Sequence, residues 1–290
     1  MLYLKNFTFP SGDNEAGVIT EYLTKWHNSI YPFKILSANL LEKIDFAPIT
    51  IFYGSNGSGK TTALNVIAEK LRIQRGTLFN SSTFFERYLE LCSSSVSSFK
   101  LPENSRIITS DDVFDFCLNK RIVNGGIDDR REELIKEYLS VKAKDSGAFR
   151  YHEDKDLEEL NKIVAVRNNT LSMYVKKNIG LNIKEKSNGE TAIRYFMDNI
   201  TENALYLLDE PENSLASQRQ IELAQYLEEA VRFYNCQLII ASHSPFLLSM
   251  REALVYDFDN RPVTVRKWQE LEGIRLYYDF FKQHDDKFSL

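Results

Sequence analysis

The most informative stretch of this 290-residue sequence is a glycine-rich run that ends in lysine and threonine. Residues 54–61 read GSNGSGKT, which fits the phosphate-loop pattern G-x-x-x-x-G-K-[ST]. Glycines let successive N–H groups face one anion, and the N-terminus of the following helix adds partial positive charge. Lys60 would reach the phosphates, and the Thr61 hydroxyl would bind Mg²⁺. The residues expected to bind nucleotide here are Gly54, Ser55, Asn56, Gly57, Ser58, Gly59, Lys60, Thr61 and Thr62.

Charged side chains and a histidine follow two further apolar runs. Asp209 and Glu210 come directly after LYLL, and His243 follows LIIAS. Because the carboxyl ends of parallel strands meet at one edge of a sheet, we expect all three residues beside the phosphate loop. Asp209 would then hold Mg²⁺, Glu210 would orient or deprotonate a water, and His243 could hydrogen-bond a γ-phosphate. The simpler alternatives are a glycine-rich turn, an exposed strand end and a structural histidine.

The elements around these residues predict a parallel sheet with crossover helices. Residues 48–54 and the runs NALYLLDEP and CQLIIASHSP have strand patterns, whereas residues 60–72 and 217–234 have helical spacing. Strand, helix and strand in this order favour an α/β fold. Residues 1–53 predict several short strands, residues 253–268 a hairpin, and residues 273–284 a final helix.

Bulk composition narrows the function classes. A net charge of −5 gives no strong whole-protein field that would favour DNA or an acidic membrane. Three widely spaced cysteines argue against a disulfide framework or a zinc site and favour a reducing compartment. The N-terminus does not fit a signal peptide, and no apolar run approaches the ~20 residues of a membrane helix. We therefore expect a cytoplasmic protein without membrane insertion.

The phosphate loop, LYLLDEP and IIASHSP resemble, in their order and spacing, the motifs of ABC-type ATPase domains. The resemblance is closest to stand-alone, non-transporter members of the SMC/Rad50/OLD-like group, in particular compact bacterial "predicted ATPase" (AAA family ATPase) proteins. KSNGE at residues 186–190 resembles their signature motif, and DEPENSLASQRQ stands where transporters commonly continue with SALD. The resemblance is good over residues 31–62 and 186–258 and poor over residues 76–180.

This resemblance implies a P-loop NTPase fold: an ABC-type ATPase head with a mixed sheet and an inserted, mainly helical subdomain. The expected parts are residues 1–75 with the phosphate loop, residues 76–180 as the insertion, and residues 181–290 with the signature, the acids and His243. Family members form homodimers that sandwich two ATP molecules. The implied catalytic residues are Glu210 and His243. The signature residues implied to meet the partner's ATP are Ser187, Asn188, Gly189 and Glu190.

Several alternatives stay open at this point. Ser187 and Glu190 also fit a capping box, which is compatible with the signature role. The family's Q-loop glutamine has no clear counterpart, and Asp111 or Asp112 stands nearest its place. The leading hypothesis is an ATP-driven switch that controls an effector protein or a nucleic acid; the resemblance implies phage defence as one setting for it. The competing classes are a transporter subunit, an SMC-like DNA-repair ATPase, a non-hydrolysing sensor and a small-molecule kinase.

Overall fold

The computed structural model divides the chain into two compact units. The first combines Met1–Phe114 with Asn188–Leu290, and the second is Asp115–Ser187. The division of the chain into residues 1–75, 76–180 and 181–290, which the sequence analysis expects, stays a prediction. The residues that the structure describes are 1–22, 30–97, 101–143, 164–166, 171–178, 188–213 and 215–288.

The strands alternate with helices along the chain, as an α/β fold requires. In chain order the strands are β1 (Leu4–Thr8), β2 (Lys43–Asp45), β3 (Ile49–Tyr53), β4 (Gln74–Arg75), β5 (Ser93–Val96), β6 (Arg106–Thr109), β7 (Leu205–Asp209), β8 (Gln237–Ala241), β9 (Leu254–Asp257) and β10 (Thr264–Val265). β1, β2 and β5 form a small antiparallel sheet, in the order β2-β1-β5. The other strands form a larger sheet in the order β10-β9-β3-β8-β7-β6-β4.

The helices that the structure describes are α1 (Gly12–Tyr22), α2 (Lys60–Lys70), α3 (Phe85–Leu91), α4 (Ser110–Ala143), α5 (Leu171–Asn178), α6 (Asn188–Asn199), α7 (Ser217–Phe233), α8 (Pro245–Leu248) and α9 (Glu272–Gln283). α2 packs against β7 and β8, and α7 packs against α6, α8 and β8. Within the described residues, no helix is both long and apolar enough to cross a membrane.

The centre of the larger sheet is buried on both faces. Every residue of β3 and β8 is buried, and so are the first four residues of β7. Continuous apolar runs such as LYLL and LIIA are typical of parallel strands covered by helices on both sides. Only β10 runs antiparallel to its neighbour among the described strands of this sheet. The mixed sheet expected from the sequence is therefore confirmed.

The register of the parallel strands sets one row of residues across the sheet edge. Thr109 on β6 pairs with Asp209 on β7, and Asp209 pairs with Ala241 on β8. Ala241 pairs in turn with Phe52 on β3, which pairs with Tyr256 on β9. The loops that leave these strands therefore start from nearly the same level of the sheet.

One glutamine side chain joins the two sheets. Gln237, the first residue of β8, is completely buried. Its Oε1 accepts hydrogen bonds from the N–H groups of Tyr3 and Leu4 at 2.7 and 2.8 Å. Its Nε2 donates to the carbonyls of Leu4 at 2.8 Å and Ala47 at 3.3 Å. Gln237 thus satisfies backbone groups of β1 that would otherwise be buried without partners.

The prediction for residues 1–53 is wrong in one segment, because α1 lies where short strands were expected. Pro10 and Ser11 directly precede this helix rather than a turn between strands, and Ser11 Oγ accepts from the N–H of Asn14 at 3.4 Å. Glu15 is buried and accepts hydrogen bonds from Lys34 N and Ser37 Oγ, both at 2.7 Å. These contacts lie about 20 residues away in sequence, so local periodicity does not reveal them.

The second unit has a small apolar cluster of its own. Leu134 and Tyr138 on α4 pack with Val166 and with Tyr174 on α5. The rings of Tyr138 and Tyr174 are 5.6 Å apart between centroids. The prediction of a mainly helical segment over residues 76–180 stays a prediction; within these bounds the structure describes α3, α4, α5, β5 and β6.

Gln237→Leu should lower the free energy of unfolding by about 3 kcal/mol, because backbone groups of Tyr3 and Leu4 would lose buried partners. Urea unfolding measures the change. The matched control is Gln225→Leu on the exposed side of α7, which should stay within about 0.5 kcal/mol of the unmutated protein. Equal effects of the two substitutions would contradict the bridging role of Gln237.

Candidate active site

The phosphate loop between β3 and α2 has a backbone that requires glycine at two positions. Gly59 has a φ of 100°, and a Cβ added there would lie 3.2 Å from Ile35 Cγ2. A Cβ on Gly54 would lie 2.6 Å from Ser58 Oγ. A side chain at either position would therefore distort the loop, which explains its glycine-rich sequence.

The lysine of the loop folds back onto its own backbone. Lys60 is 3% exposed, and its Nζ donates to the carbonyls of Gly54 at 2.7 Å and Ser55 at 2.9 Å. Two carbonyl oxygens thus stabilise the buried ammonium group. The loop holds its positive charge at the place where the sequence predicts a phosphate.

Two side chains from distant segments brace the loop from outside. Asp259 Oδ1 and Oδ2 each accept from the Ser55 N–H at 2.9 Å, and Oδ1 also accepts from Ser55 Oγ at 2.7 Å. Asn39 Nδ2 donates to the Ser58 carbonyl at 2.8 Å. Sequence reasoning missed both residues. The signal for Asp259 was present, because it follows β9, whose end lies beside β3.

The remaining loop residues take different positions. Asn56 and Gly57 are exposed at the tip of the loop. Thr62 is buried, and its Oγ1 accepts a long hydrogen bond of 3.4 Å from Tyr31 Oη. A nucleotide contact by Thr62 stays a prediction, since its hydroxyl has a protein partner.

Thr61 and Asp209, predicted separately, lie in direct contact. Thr61 Oγ1 in the first turn of α2 donates to Asp209 Oδ1 at the end of β7, at 3.0 Å. Burial raises the pKa of Asp209 to about 6, and the negative charges of Glu210 and Glu212 add to this effect. The hydrogen bond from Thr61 and the charge of Lys60 act in the opposite direction.

This pair of oxygens fits a divalent cation. Mg²⁺ usually takes one or two protein oxygens and completes its shell with water and phosphate oxygens. A cation beside Asp209 would also offset the burial and the neighbouring negative charges that raise the pKa of this carboxyl. The donor set therefore suits Mg²⁺.

Glu210 lies in an unusual backbone conformation immediately after β7. Its φ is 48°, a left-handed value that costs a residue with a Cβ about 1 kcal/mol and often marks a functional position. Its N–H donates to the Ala241 carbonyl at 2.9 Å, and its Oε2 accepts from Asn213 Nδ2 at 2.9 Å. The Glu210 carboxylate is thus directed by the strand end and by the turn that follows.

An acidic side chain that the sequence analysis did not single out accepts hydrogen bonds from the loop after β8. Glu212 is 4% exposed, and its Oε1 accepts from Ser242 Oγ at 2.7 Å, His243 N at 2.9 Å and Ser244 N at 3.2 Å. His243 Nδ1 lies 3.5 Å from the same oxygen, while half of the imidazole side chain is exposed. The predicted histidine therefore rests on a buried carboxylate.

The signature segment is described only in part. Ser187 lies outside the described residues, so its capping box and nucleotide contact stay predictions. α6 begins at Asn188. Glu190 Oε1 accepts from Arg219 Nη2 at 3.2 Å, and a Cβ on Gly189 would lie 3.5 Å from Arg219 Cγ. The first turn of α6 is thus held against the first turn of α7.

The two acids near the expected Q-loop position differ in their surroundings. Asp112 is buried, and its Oδ2 accepts from Thr109 N at 2.8 Å and Thr109 Oγ1 at 2.9 Å, which caps the start of α4. Asp111 is exposed on the first turn of the same helix. Thr109 is paired with Asp209, so both acids follow a strand end of the same sheet edge.

The structure thus brings the phosphate loop, Asp209, Glu210 and His243 to one edge of the sheet, as the strand-end rule predicts. Gly189 and Glu190 contact Arg219 on α7, whereas the phosphate loop leads into α2. The missed residue Glu212 had a weak signal, namely a third acid in the run DEPE, three residues beyond Asp209.

Comparison with known structures finds distant similarity that extends over most of the chain. A putative metal-chelate type ABC transporter in an inward-facing conformation is 14% identical, with a TM-score of 0.41, over 96% of this chain and 89% of that one. A second structure is the Smc head domain of Pyrococcus furiosus with an extended coiled coil, bound to the C-terminal domain of ScpA. It is 12% identical, with a TM-score of 0.43, over 97% of this chain and 100% of that one. A third structure is a dimeric ATP-binding cassette in a post-hydrolysis state, bound to ADP and Pi. It is 13% identical, with a TM-score of 0.40, over 93% of this chain and 100% of that one.

The assignment of a family rests instead on sequence profiles. The family described as "AAA ATPase domain" matches residues 189–248, which include Asp209, Glu210 and His243. No curated protein matches the chain. The family described as "ABC transporter" matches residues 39–213, which contain the phosphate loop and the acids after β7. This match covers more than half of the 290 residues, and the chain therefore belongs to the ABC transporter family, with its ABC-type ATPase fold.

Proposed function

We propose that this protein binds ATP together with Mg²⁺ and hydrolyses it to ADP and phosphate. The observation that carries the proposal is the 3.0 Å hydrogen bond between Thr61 Oγ1 and Asp209 Oδ1. It joins the phosphate loop to the acidic strand end, so that a phosphate-binding backbone and a cation site are adjacent. Membership of the ABC transporter family supports the same activity.

Lys60 and the loop backbone bind the phosphates. In this step the Lys60 ammonium exchanges its bonds to the Gly54 and Ser55 carbonyls for bonds to phosphate oxygens. The bonds to the carbonyls are already charge-assisted through the ammonium, but phosphate oxygens also carry negative charge, and this added attraction favours the exchange. The N-terminus of α2 contributes further N–H donors and its helix dipole.

Thr61 and Asp209 hold the metal ion through the hydroxyl and carboxylate oxygens that now contact each other. The chemistry that Mg²⁺ supplies when bound is neutralisation of negative charge on the phosphate oxygens. Asp209 must be ionised to act as a ligand. Its pKa of about 6 makes metal binding weaken as the pH falls through that value.

Glu210 and His243 act on the terminal phosphate. Glu210 accepts a proton from a water whose oxygen attacks the γ-phosphorus, as the bond to the bridging oxygen breaks. His243 hydrogen-bonds a γ-phosphate oxygen through its exposed imidazole. Both residues follow strands of the same row, β7 and β8, which supports a shared target.

ATP closes two such heads into a sandwich dimer in this proposal, and hydrolysis opens it. The α6 N-terminus, with Ser187, Asn188 and Gly189 of one subunit, meets the γ-phosphate on the partner's loop. Unpaired N–H groups and the dipole at a helix start suit such a contact. The cytoplasmic head would pass its motion to an effector protein or a nucleic acid.

The specific group proposed is that of stand-alone, SMC/Rad50/OLD-like heads. KSNGE and DEPENSL support this assignment, because both differ from the sequences that are common in transporters at these places. A role in phage defence rests on the resemblance alone. The second candidate is the nucleotide-binding subunit of a transporter, which the description of the matching family favours. Co-purification with a membrane protein would select that candidate.

Lys60→Ala should weaken ATP binding about a hundredfold, because charge-assisted bonds to the phosphates are lost. Isothermal titration calorimetry with Mg²⁺ and ATP measures the change. The control is Lys70→Ala in the last turn of α2, whose Nζ donates to the Leu89 carbonyl; it should bind ATP normally. Retained affinity in Lys60→Ala would remove the loop assignment.

Glu210→Gln should reduce turnover at least about a hundredfold, because the general base is lost. The variant should accumulate as an ATP-bound dimer, which light scattering detects, and should stay monomeric with ADP. Glu202→Gln, exposed before β7, serves as the control and should hydrolyse ATP normally. A variant that stays monomeric with ATP would rule out the sandwich.

Asp209→Asn should stabilise the metal-free protein at pH 8 by about 2–3 kcal/mol, because it removes a buried carboxylate whose pKa is raised to about 6. A raised pKa means that the folded state holds its proton more strongly than the unfolded state, so the acid costs stability as the pH rises from about 4 to 6. The gain should therefore shrink as the pH falls toward 4.

Urea unfolding with a chelator present, at several pH values, measures this gain. The control is Asp198→Asn on the exposed side of α6, which should show little dependence on pH. A loss of stability in Asp209→Asn at pH 8 would show that the carboxylate charge is favourable in the metal-free fold.

A further inference from the structure

Glu212 connects the two loops that carry Glu210 and His243. It lies two residues beyond Glu210, and its Oε1 is the shared acceptor for Ser242 Oγ, His243 N and Ser244 N, at 2.7, 2.9 and 3.2 Å. Three donors on one carboxylate oxygen fix the path of the loop after β8.

The same loop is held at its exit. Ser244 Oγ donates to Gln220 Oε1 on α7 at 2.7 Å, and Gln220 Nε2 donates to the Leu215 carbonyl at 2.8 Å. Ser244 also caps the short helix α8. The backbone on both sides of His243 is therefore fixed, and the imidazole is the part of this residue left exposed.

Glu212 also faces the imidazole itself. His243 Nδ1 lies 3.5 Å from Glu212 Oε1, so the carboxylate addresses this ring nitrogen. The opposite nitrogen, Nε2, is then the one available to a phosphate oxygen. A carboxylate at Nδ1 favours the tautomer with the proton on that atom and fixes the orientation of the ring.

Within the described part of the chain, the hydrogen bonds of Glu212 satisfy only one of its two carboxylate oxygens. Glu212 is 4% exposed, and its Oε2 has no hydrogen-bond partner among the described residues. Burial of a carboxylate with one oxygen unpaired costs free energy. A role in the chemistry of the site explains why a charged group lies there.

We propose that Glu212 is a positioning residue for His243: it holds the loop backbone and Nδ1 so that Nε2 faces the γ-phosphate. This assignment rests on the proposed hydrolysis of ATP. It gives the turn after Glu210 a second task, because one turn then aims both the water-activating carboxylate and the phosphate-binding imidazole.

A double-mutant cycle between Glu212→Gln and His243→Ala tests the proposal. Glutamine keeps an oxygen acceptor at Oε1 but removes the negative charge. Glu212→Gln alone should lower kcat about tenfold and leave KM within about threefold, as expected for loss of one charge-assisted interaction in the transition state. In the His243→Ala background, the same substitution should change kcat by less than about twofold.

The control is Glu229→Gln, exposed on α7, which should leave kcat unchanged. Thermal unfolding reports the structural effect of Glu212→Gln, which should be equal in the two backgrounds. An equal loss of kcat in both backgrounds, or no loss in either, overturns the proposal. A His243→Ala variant with normal kcat also overturns it, because no imidazole function would remain to be positioned.

Two further measurements keep the test decisive. If Glu212→Gln does not fold, the cycle is run with Ser242→Ala, which removes one of the three donors and should lower kcat about threefold only when His243 is present. If the unmutated protein releases no phosphate, the proposed hydrolysis fails by itself. The double-mutant cycle then uses the ratio of the dissociation constants for ATP and ADP in each variant. Effects of Glu212→Gln and His243→Ala that depend on each other support positioning, whereas additive effects reject it.

Discussion

The parallel hydrogen-bond register of β6, β7, β8 and β3 is the constraint on which the site depends. It places Thr109, Asp209, Ala241 and Phe52 in one row. A slip of one residue in any ladder would turn the following side chain to the opposite face. The buried apolar residues of these strands prevent such slips. Packing around the strands therefore determines where the polar groups at the strand ends lie.

The polar groups at this edge form a balanced set of charges rather than a collection of separate contacts. Burial and the charges of Glu210 and Glu212 raise the pKa of Asp209, and the charge of Lys60 acts in the opposite direction. Backbone groups supply the remainder: Glu212 relies on the His243 and Ser244 N–H groups, and Lys60 on two carbonyls. Such preorganisation costs stability in the folded protein and reduces the rearrangement needed during a reaction.

Much of the fold could be read from the sequence, because its main elements have strong local patterns. LYLL and LIIA identify parallel strands, and the strand-end rule then locates Asp209 and His243 without knowledge of the strand order. Glu212 could not be assigned in this way, since its partners in the loop after β8 are distant in sequence. Asp259 follows β9 and so carried the strand-end signal, but its contact with Ser55, which is equally distant in sequence, could not be foreseen. α1 was missed for a similar reason, because Glu15 is stabilised by residues beyond the helix.

The inward fold of Lys60 has a consequence for selectivity. With two carbonyl acceptors already on the ammonium, the loop contains its own competitor for any incoming anion. Net affinity is then the difference between two sets of hydrogen bonds, not the sum of one. A small monovalent anion offers the lysine little more than the carbonyls do, whereas a polyphosphate also engages the backbone N–H groups and the helix start. If the loop binds nucleotide as proposed, it would therefore select ligands by total charge and length before any base or sugar is recognised.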